Sequence, residues 1–327
     1  PMTGREPAAS GPREVELKLR VPAEALPQLE ECPALREHAR SPLQKTRLLG
    51  TYYDTVDGRL AAAGLTLRVR QAGERYVQTL KAASDGPGVV ADRAEWEVEL
   101  SGPSPDLAAF ADPALIERTG LEPGAALVSR FTTRIERDTV ILDWPDGRAI
   151  DRGEIVAGER VLPVAEVELE LKEGQPATLF GLAETLRAVA PLAIEPLPKA
   201  ARGQLLASGE APRGAKAGKL RLAPDLGIEA GMAAIFRYGL GHLLRNEAAA
   251  RDGRDPEGLH QVRVALRRLR SAVAIFKGIL PEADRERWQD ELRWTLGELG
   301  PARDLDVFLG STLPALLPSL GVLALEG

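Results

Sequence analysis

Charged residues two positions apart recur in four short segments: Glu14, Glu16 and Lys18; Arg68 and Arg70; Glu95, Glu97 and Glu99; Glu166, Glu168 and Glu170. In an extended chain such residues share one side, with neighbours roughly 7 Å apart. Lys81 follows Thr79 with the same spacing, and Arg137 lies in another strand-like run. A sheet built from these segments carries one face dense in both acids and bases. For any single segment a solvated face explains the pattern well enough; the recurrence is what points to a site. If the sheet curls into a barrel, that face becomes a polar lumen. Bases there can hold a polyanion, and paired carboxylates can hold Mg²⁺ or Mn²⁺, which prefer hard oxygen ligands. Asp151 either joins this face or makes a turn with Arg152 and Gly153. Cys32 and His38 read as packing or surface residues, so no covalent nucleophile is in view.

The elements that would position these residues follow from periodicity. From about residue 12 to 205, apolar and charged residues alternate in runs bounded by Gly, Pro and Asp, the period of strands in a mostly antiparallel sheet. Helical stretches are expected near 23–35 and 177–189. Residues 206–224, rich in Gly, Ala, Lys and Pro, carry neither period and read as a linker. From 225 to 327 the period is helical. Asp255-Pro256 forms an N-cap followed by proline at the first helical position. Leu259, Val262, Leu266, Leu269, Val273 and Phe276 then recur at steps of three and four, the seam of a bundle helix. Further helices are expected over 229–246 and 281–299, with another near Asp304. Val322, Leu323 and Leu325 give this region the look of a truncated helical domain. About 100° around from the seam, His260, Arg263, Arg267 and Arg270 form a basic stripe about 15 Å long. It is either a solvated face or a surface for a linear polyanion. His242 and Arg245 could add to it, and Arg268 lies off it.

Glu14-x-Glu16-x-Lys18, Tyr52-Tyr53-Asp54-Thr55, Leu67-Arg68-Val69-Arg70, Thr79-Leu80-Lys81, Trp96-Glu97-Val98-Glu99, Glu166-Val167-Glu168-Leu169-Glu170 and Lys199-x-x-Arg202-Gly203, in that order, resemble the CYTH domain of triphosphate tunnel metalloenzymes. The resemblance covers residues 12–205. It implies an eight-stranded antiparallel tunnel that hydrolyses a triphosphate with a divalent metal, Mg²⁺ or Mn²⁺. It also implies metal ligands among Glu14, Glu16, Glu166, Glu168 and Glu170, with Glu14, Glu16 and Lys18 as catalytic residues. Phosphate-binding cations are implied at Lys18, Arg68, Arg70, Lys81, Arg137, Lys199 and Arg202, Arg134 being the alternative to Arg137. The segment from His260 to Arg270, with Ala302-Arg303-Asp304-Leu305-Asp306-Val307, resembles the first half of the CHAD domain, a helical module associated with inorganic polyphosphate. Together the two resemblances imply an inorganic triphosphatase acting on tripolyphosphate with a helical appendage for long-chain polyphosphate. Two alternatives stay open: a polyphosphate-binding module with little turnover, and a thiamine triphosphatase or adenylate cyclase of the same fold.

Composition bounds these readings. With 327 residues and 44% hydrophobic content, the chain suits about two domains of an α+β protein. One cysteine excludes an intramolecular disulfide and zinc sites built on several thiolates, and suits a reducing compartment. A net charge of −6 argues against a general nucleic-acid binder. No apolar run is long enough to span a bilayer, no signal segment follows Pro1-Met2, and a cytoplasmic location is expected. Aromatics make up only 4%, which leaves few surfaces on which an organic base could stack. Oligomeric state is not legible.

Overall fold

Among the described residues, alternating patterns over the first two hundred positions become nine strands, all paired antiparallel. The computed structural model describes residues 13–82, 91–110, 117, 119–121, 124–143, 147–171 and 175–317. The strands are β1 (Arg13–Arg20), β2 (Gln44–Asp54), β3 (Leu65–Ala72), β4 (Arg75–Ala82), β5 (Ala91–Leu100), β6 (Val128–Val140), β7 (Gly147–Ala157), β8 (Arg160–Leu171) and the short β9 (Ala193–Ile194). Their order is β5-β4-β3-β2-β6-β7-β8-β1, and β1 pairs back onto β5, so eight strands close into a barrel with β9 added at β1. Closure is made where Arg13–Glu16 of β1 pair with Ala91–Ala94 of β5 and joins the two ends of the strand order. It also divides the alternating side chains into an outer and a lumenal set.

The outer set is largely apolar and covered. Leu17, Leu19, Val167 and Leu169 are buried, and helix α4 (Ala177–Arg187) lies against β8 with Leu179, Leu182 and Leu186 buried at helical spacing. Leu65, Leu67 and Leu80 form a second patch with Leu60, Phe110 and Leu121. Three short helices join this wrapping: α1 (Leu26–Glu30), α2 (Pro33–Glu37) and α3 (Arg59–Ala62). In the Tyr52-Tyr53-Asp54-Thr55 motif the acid is a structural cap. Asp54 is buried and accepts from the backbone N–H groups of Thr55 (2.7 Å), Leu60 (2.8 Å) and Ala61 (3.0 Å), which fixes the turn from β2 into α3.

The lumen is not polar throughout. Towards one end Tyr52, Phe131, Ile135, Ile155, Ala157 and Val164 form an apolar plug, against which helix α5 (Lys199–Ser208) packs Ala200, Leu206 and Ala207. Gly203 is buried on this helix, and any Cβ there would run into the Phe131 ring. The glycine thus lets α5 come close enough for its first turn to reach the polar part of the lumen.

Residues from 211 onward form a second compact unit. It contains α6 (Ile228–Asp252), α7 (Pro256–Ile275), α8 (Glu282–Glu298) and α9 (Gly300–Val307). Asp255 caps α7 as expected, accepting from Glu257 N at 3.0 Å. Val262, Leu266, Leu269 and Val273 are buried along the seam. Residues 214–218 have no regular structure but are docked on this unit. Gly214 N donates to Asp255 at 2.7 Å, the Asn246 amide holds both the N–H and the carbonyl of Ala215, and Tyr238 donates to the Gly218 carbonyl. No helix among the described residues is long and apolar enough to cross a membrane.

Candidate active site in the barrel lumen

Strand register determines which charges meet. Across β1 and β8, Lys18 lies opposite Glu168, Glu16 opposite Glu170 and Arg20 opposite Glu166. Across β6, β7 and β8, Arg137 faces Asp151, which faces Glu166. Across β2 to β5, Tyr52, Arg68, Thr79 and Glu97 fall in one row, and Lys81 lies opposite Glu95. Glu14 pairs with Arg93 along the backbone; its side chain lies outside the described residues.

Acids and bases are interleaved. Lys18 pairs with Glu16 and lies 3.5 Å from Glu168. Arg137 grips both oxygens of Asp151 at 2.7 Å and also reaches Glu168. From the first turn of α5, Lys199 reaches Asp151 (2.6 Å), Glu168 (3.1 Å) and Glu166, while Arg202 binds Glu166 and lies 3.9 Å from Glu195. Lys81 pairs with Glu95 at 3.0 Å, and Arg70 is 3.8 Å from Glu97. Asp151 and Glu166 are fully buried. The sequence left Asp151 between lumen and turn; β7 continues through it, so Asp-Arg-Gly is strand. Register on β7 was the signal that could have found it.

The electrostatics follow from burial set against this pairing. Burial pushes the Glu168 carboxyl up, but Lys199, Arg137 and Lys18 outweigh it and hold the group well below the usual range. Burial likewise pulls Lys199 and Arg137 down, and the surrounding carboxylates overcome it, so both stay charged. Arg70 differs: burial first, and then neighbouring Arg68, lowers it, and Glu97 does not make up the difference.

Arg134 is three residues from Arg137 and therefore on the opposite face, where it pairs with Glu154 at 2.8 Å on the outside of the barrel. Of the pair, only Arg137 reaches the lumen. Glu99 sits with exposed Arg75, away from the other lumenal acids. Tyr52, Thr79 and Glu95 were not singled out as partners of the lumenal cations; parity with Arg68, Lys81 and Glu97 was the available signal.

A hard divalent cation fits this donor set. Asp151, Glu166 and Glu168 each offer a carboxylate oxygen, all within 4.8 Å of one another, and Glu16 and Glu170 face each other across the adjoining strands. Each carboxylate has lone pairs beyond those its cation partners use.

On the second unit, Arg267 and Arg270 are exposed, whereas Arg263 donates to the Leu296 carbonyl at 2.6 Å near the end of α8, so it braces α7 against α8. His260 is half-buried. His242 is fully buried, bonded through Nε2 to Gln261 at 3.1 Å, with burial and then Arg268 pulling its pKa down. It therefore adds nothing to the basic surface.

Comparison with known proteins matches residues 12–203 to the CYTH domain and residues 234–325 to the CHAD domain. An inorganic triphosphatase of Haemophilus influenzae is 31% identical over 207 residues, covering 60% of this chain and 55% of that protein. The chain thus spans about half the length of the curated relative it matches. Among solved structures, a Hippeastrum protein described as having a dominant triphosphatase activity is 22% identical, with a TM-score of 0.46 over 60% of this chain and 96% of its own. A Pyrococcus horikoshii protein is 19% identical, with a TM-score of 0.38 over 60% of this chain and 99% of its own. Scores this low leave the fold to be read from the strands themselves.

Proposed function

We propose, from the premise that this chain belongs to the CYTH domain family, that its barrel hydrolyses inorganic tripolyphosphate to pyrophosphate and phosphate. The observation that carries this reading is the buried carboxylate trio of Asp151, Glu166 and Glu168, interleaved with Lys18, Arg137 and Lys199 inside a closed lumen. Water adds to the terminal phosphorus, the bond from that phosphorus to the bridging oxygen breaks, and the leaving pyrophosphate takes the electron pair. Phosphoryl transfer runs through a loose, charge-spread transition state, so positioned cations do most of the work. Lys18, Arg68, Arg70, Lys81 and Arg137 neutralise phosphate oxygens along the lumen. Lys199 and Arg202, tied to Glu166, lock α5 in place and leave Lys199 within reach of the same oxygens. Glu14, Glu16, Glu166, Glu168 and Glu170, with Asp151 beside them, would hold Mg²⁺ or Mn²⁺. When bound, such an ion polarises phosphate and lowers the pKa of water.

An inorganic substrate suits the lumen. Of the described aromatic side chains in the barrel unit, Tyr52 and Phe131 face inward, and they stack on each other at 4.4 Å, offering no ring to a base. Phosphate release measured across tripolyphosphate, ATP, thiamine triphosphate and long-chain polyphosphate should give tripolyphosphate the highest kcat/KM, by at least about tenfold, the scale on which one missing contact discriminates. A preference for ATP or thiamine triphosphate would overturn this substrate assignment. Binding of tripolyphosphate without turnover would favour the binding-module reading. A reducing cytoplasm suits the free, buried Cys32.

We assign long-chain polyphosphate to the stripe on α7, with His260, Arg263, Arg267 and Arg270 as its contacts. Because Arg263 also braces α8, the test uses the exposed pair. In the full chain with the lumen disabled by Arg137→Ala, Arg267→Glu with Arg270→Glu should weaken long-chain polyphosphate binding about tenfold at low salt, and the difference should shrink as the Debye length shortens. Unchanged affinity would mark the stripe as a solvated face.

A further inference from the structure

Arg68 sits in a row that crosses four strands. Tyr52 on β2 lies opposite it, Thr79 on β4 lies on its other side, and Glu97 on β5 lies beyond Thr79. The Arg68 guanidinium donates through Nη2 to Thr79 Oγ1 at 3.1 Å, and Thr79 donates to Glu97 Oε1 at 2.9 Å. Arg68 and Glu97 are themselves 4.0 Å apart, too far for a direct hydrogen bond. A hydroxyl has one proton. With that proton on Glu97, the Thr79 oxygen can only accept from Arg68, so the direction of the chain is fixed. Thr79 is 1% exposed, and as a β-branched residue it holds few rotamers. Beneath the Arg68 stem lies Gly50, where a Cβ would touch Arg68 Cδ at an ordinary 3.4 Å but would run into Thr133 Oγ1. Arg68 Nε is buried and has no hydrogen-bond partner. An unpaired buried donor is costly unless something else accepts from it.

We propose that Thr79 is a positioning residue for triphosphate binding: its hydroxyl spaces Arg68 from Glu97 and so directs the remaining N–H groups of Arg68 at a phosphate oxygen in the lumen. The inference rests on the reading of the barrel as a triphosphate site. Without the hydroxyl, Arg68 keeps Tyr52 as its neighbour on the β2 side but can close the gap to Glu97 and form a direct ion pair. That pair would commit the guanidinium to the wall. Glu97 serves Arg70 as well, at 3.8 Å, so a collapsed Arg68 would also displace the second arginine's partner.

The test is Thr79→Val, which keeps shape and removes the hydroxyl, beside Thr79→Ser, which restores it, both in the full chain. Calorimetric titration and steady-state kinetics with tripolyphosphate should show Kd and KM for Thr79→Val raised about tenfold, with kcat within about twofold and the serine variant within about threefold of wild type. A valine variant that binds like wild type, a fall in kcat with KM unchanged, or a serine variant as weak as valine would each overturn the relay. If Thr79→Val fails to melt cooperatively, Thr79→Ala replaces it in the same comparison with serine. A wild-type chain that neither binds nor hydrolyses tripolyphosphate overturns the site reading and the relay with it. A wild-type chain that does both, beside an indifferent valine variant, overturns the relay alone.

Discussion

Excess EDTA is expected to lower phosphate release from tripolyphosphate by at least about a thousandfold, with Mg²⁺ or Mn²⁺ restoring it, because the lumen's own charges nearly cancel. Lys18 is matched by Glu16, Lys81 by Glu95, Arg137 by Asp151, and Lys199 by Asp151, Glu166 and Glu168. A tripolyphosphate entering this wall brings several negative charges close to those carboxylates. At an effective dielectric constant near 20, one like-charge pair at 4 Å costs about 4 kcal/mol. Two or three such pairs would offset what the arginines contribute, so a compensating divalent cation is required for tight binding. Calorimetric titration of Mg²⁺ into the full chain gives a readout independent of turnover. Glu168→Gln should weaken that binding about tenfold or more, since it removes a ligand charge while keeping size. Full activity in EDTA, after the chain has been shown to be metal-free, would sink the prediction.

Parity explains both what the sequence revealed of this site and what it concealed. Glu16 and Lys18, Arg68 and Arg70, and Glu166, Glu168 and Glu170 each keep a spacing of two within one strand, so their common face was legible without knowing any partner strand. Arg134 and Arg137 share a strand with opposite parity, and nothing local says which face turns inward. That choice is made by β7, where Arg137 meets Asp151 and Arg134 meets Glu154. The same long-range register rescued Asp151 from a turn reading. Lys199 and Arg202 belong to no strand. They arrive on a helix whose approach depends on Gly203 fitting over Phe131, a contact 72 positions apart in sequence that no local period encodes. The docking of residues 214–218 is hidden for a similar reason. A segment without period is held by Asn246 and Asp255, each more than thirty positions away. In the second unit the apolar seam of α7 was readable from its spacing of three and four. The capture of Arg263 by a carbonyl of α8 was not, because a backbone acceptor leaves no residue-type signal.

The two arginines of β6 give the sharpest test of the lumen. Arg137→Ala should lower kcat/KM for tripolyphosphate about 10²–10³-fold, the scale for removing a preorganised charge from a transition state. Arg134→Ala should stay within about twofold, since its pair with Glu154 is solvent-exposed and such pairs contribute about 0–1 kcal/mol. Stability must be followed alongside activity. Arg137 is the bidentate partner of Asp151, which has no solvent access, and breaking a buried pair costs about 3–5 kcal/mol when the other charge is left behind. Lys199 still faces Asp151 at 2.6 Å, so the loss should fall toward the lower end of that range. Arg137→Lys separates the two effects. It keeps a cation beside Asp151 and Glu168 but lacks the planar fork, so the chain should melt near wild type while kcat/KM remains about tenfold down. Assays run well below the lowest melting temperature of the set would then report chemistry rather than unfolding. Equal losses in Arg134→Ala and Arg137→Ala would mean that the face of β6 turned toward Asp151 is not the one that meets phosphate.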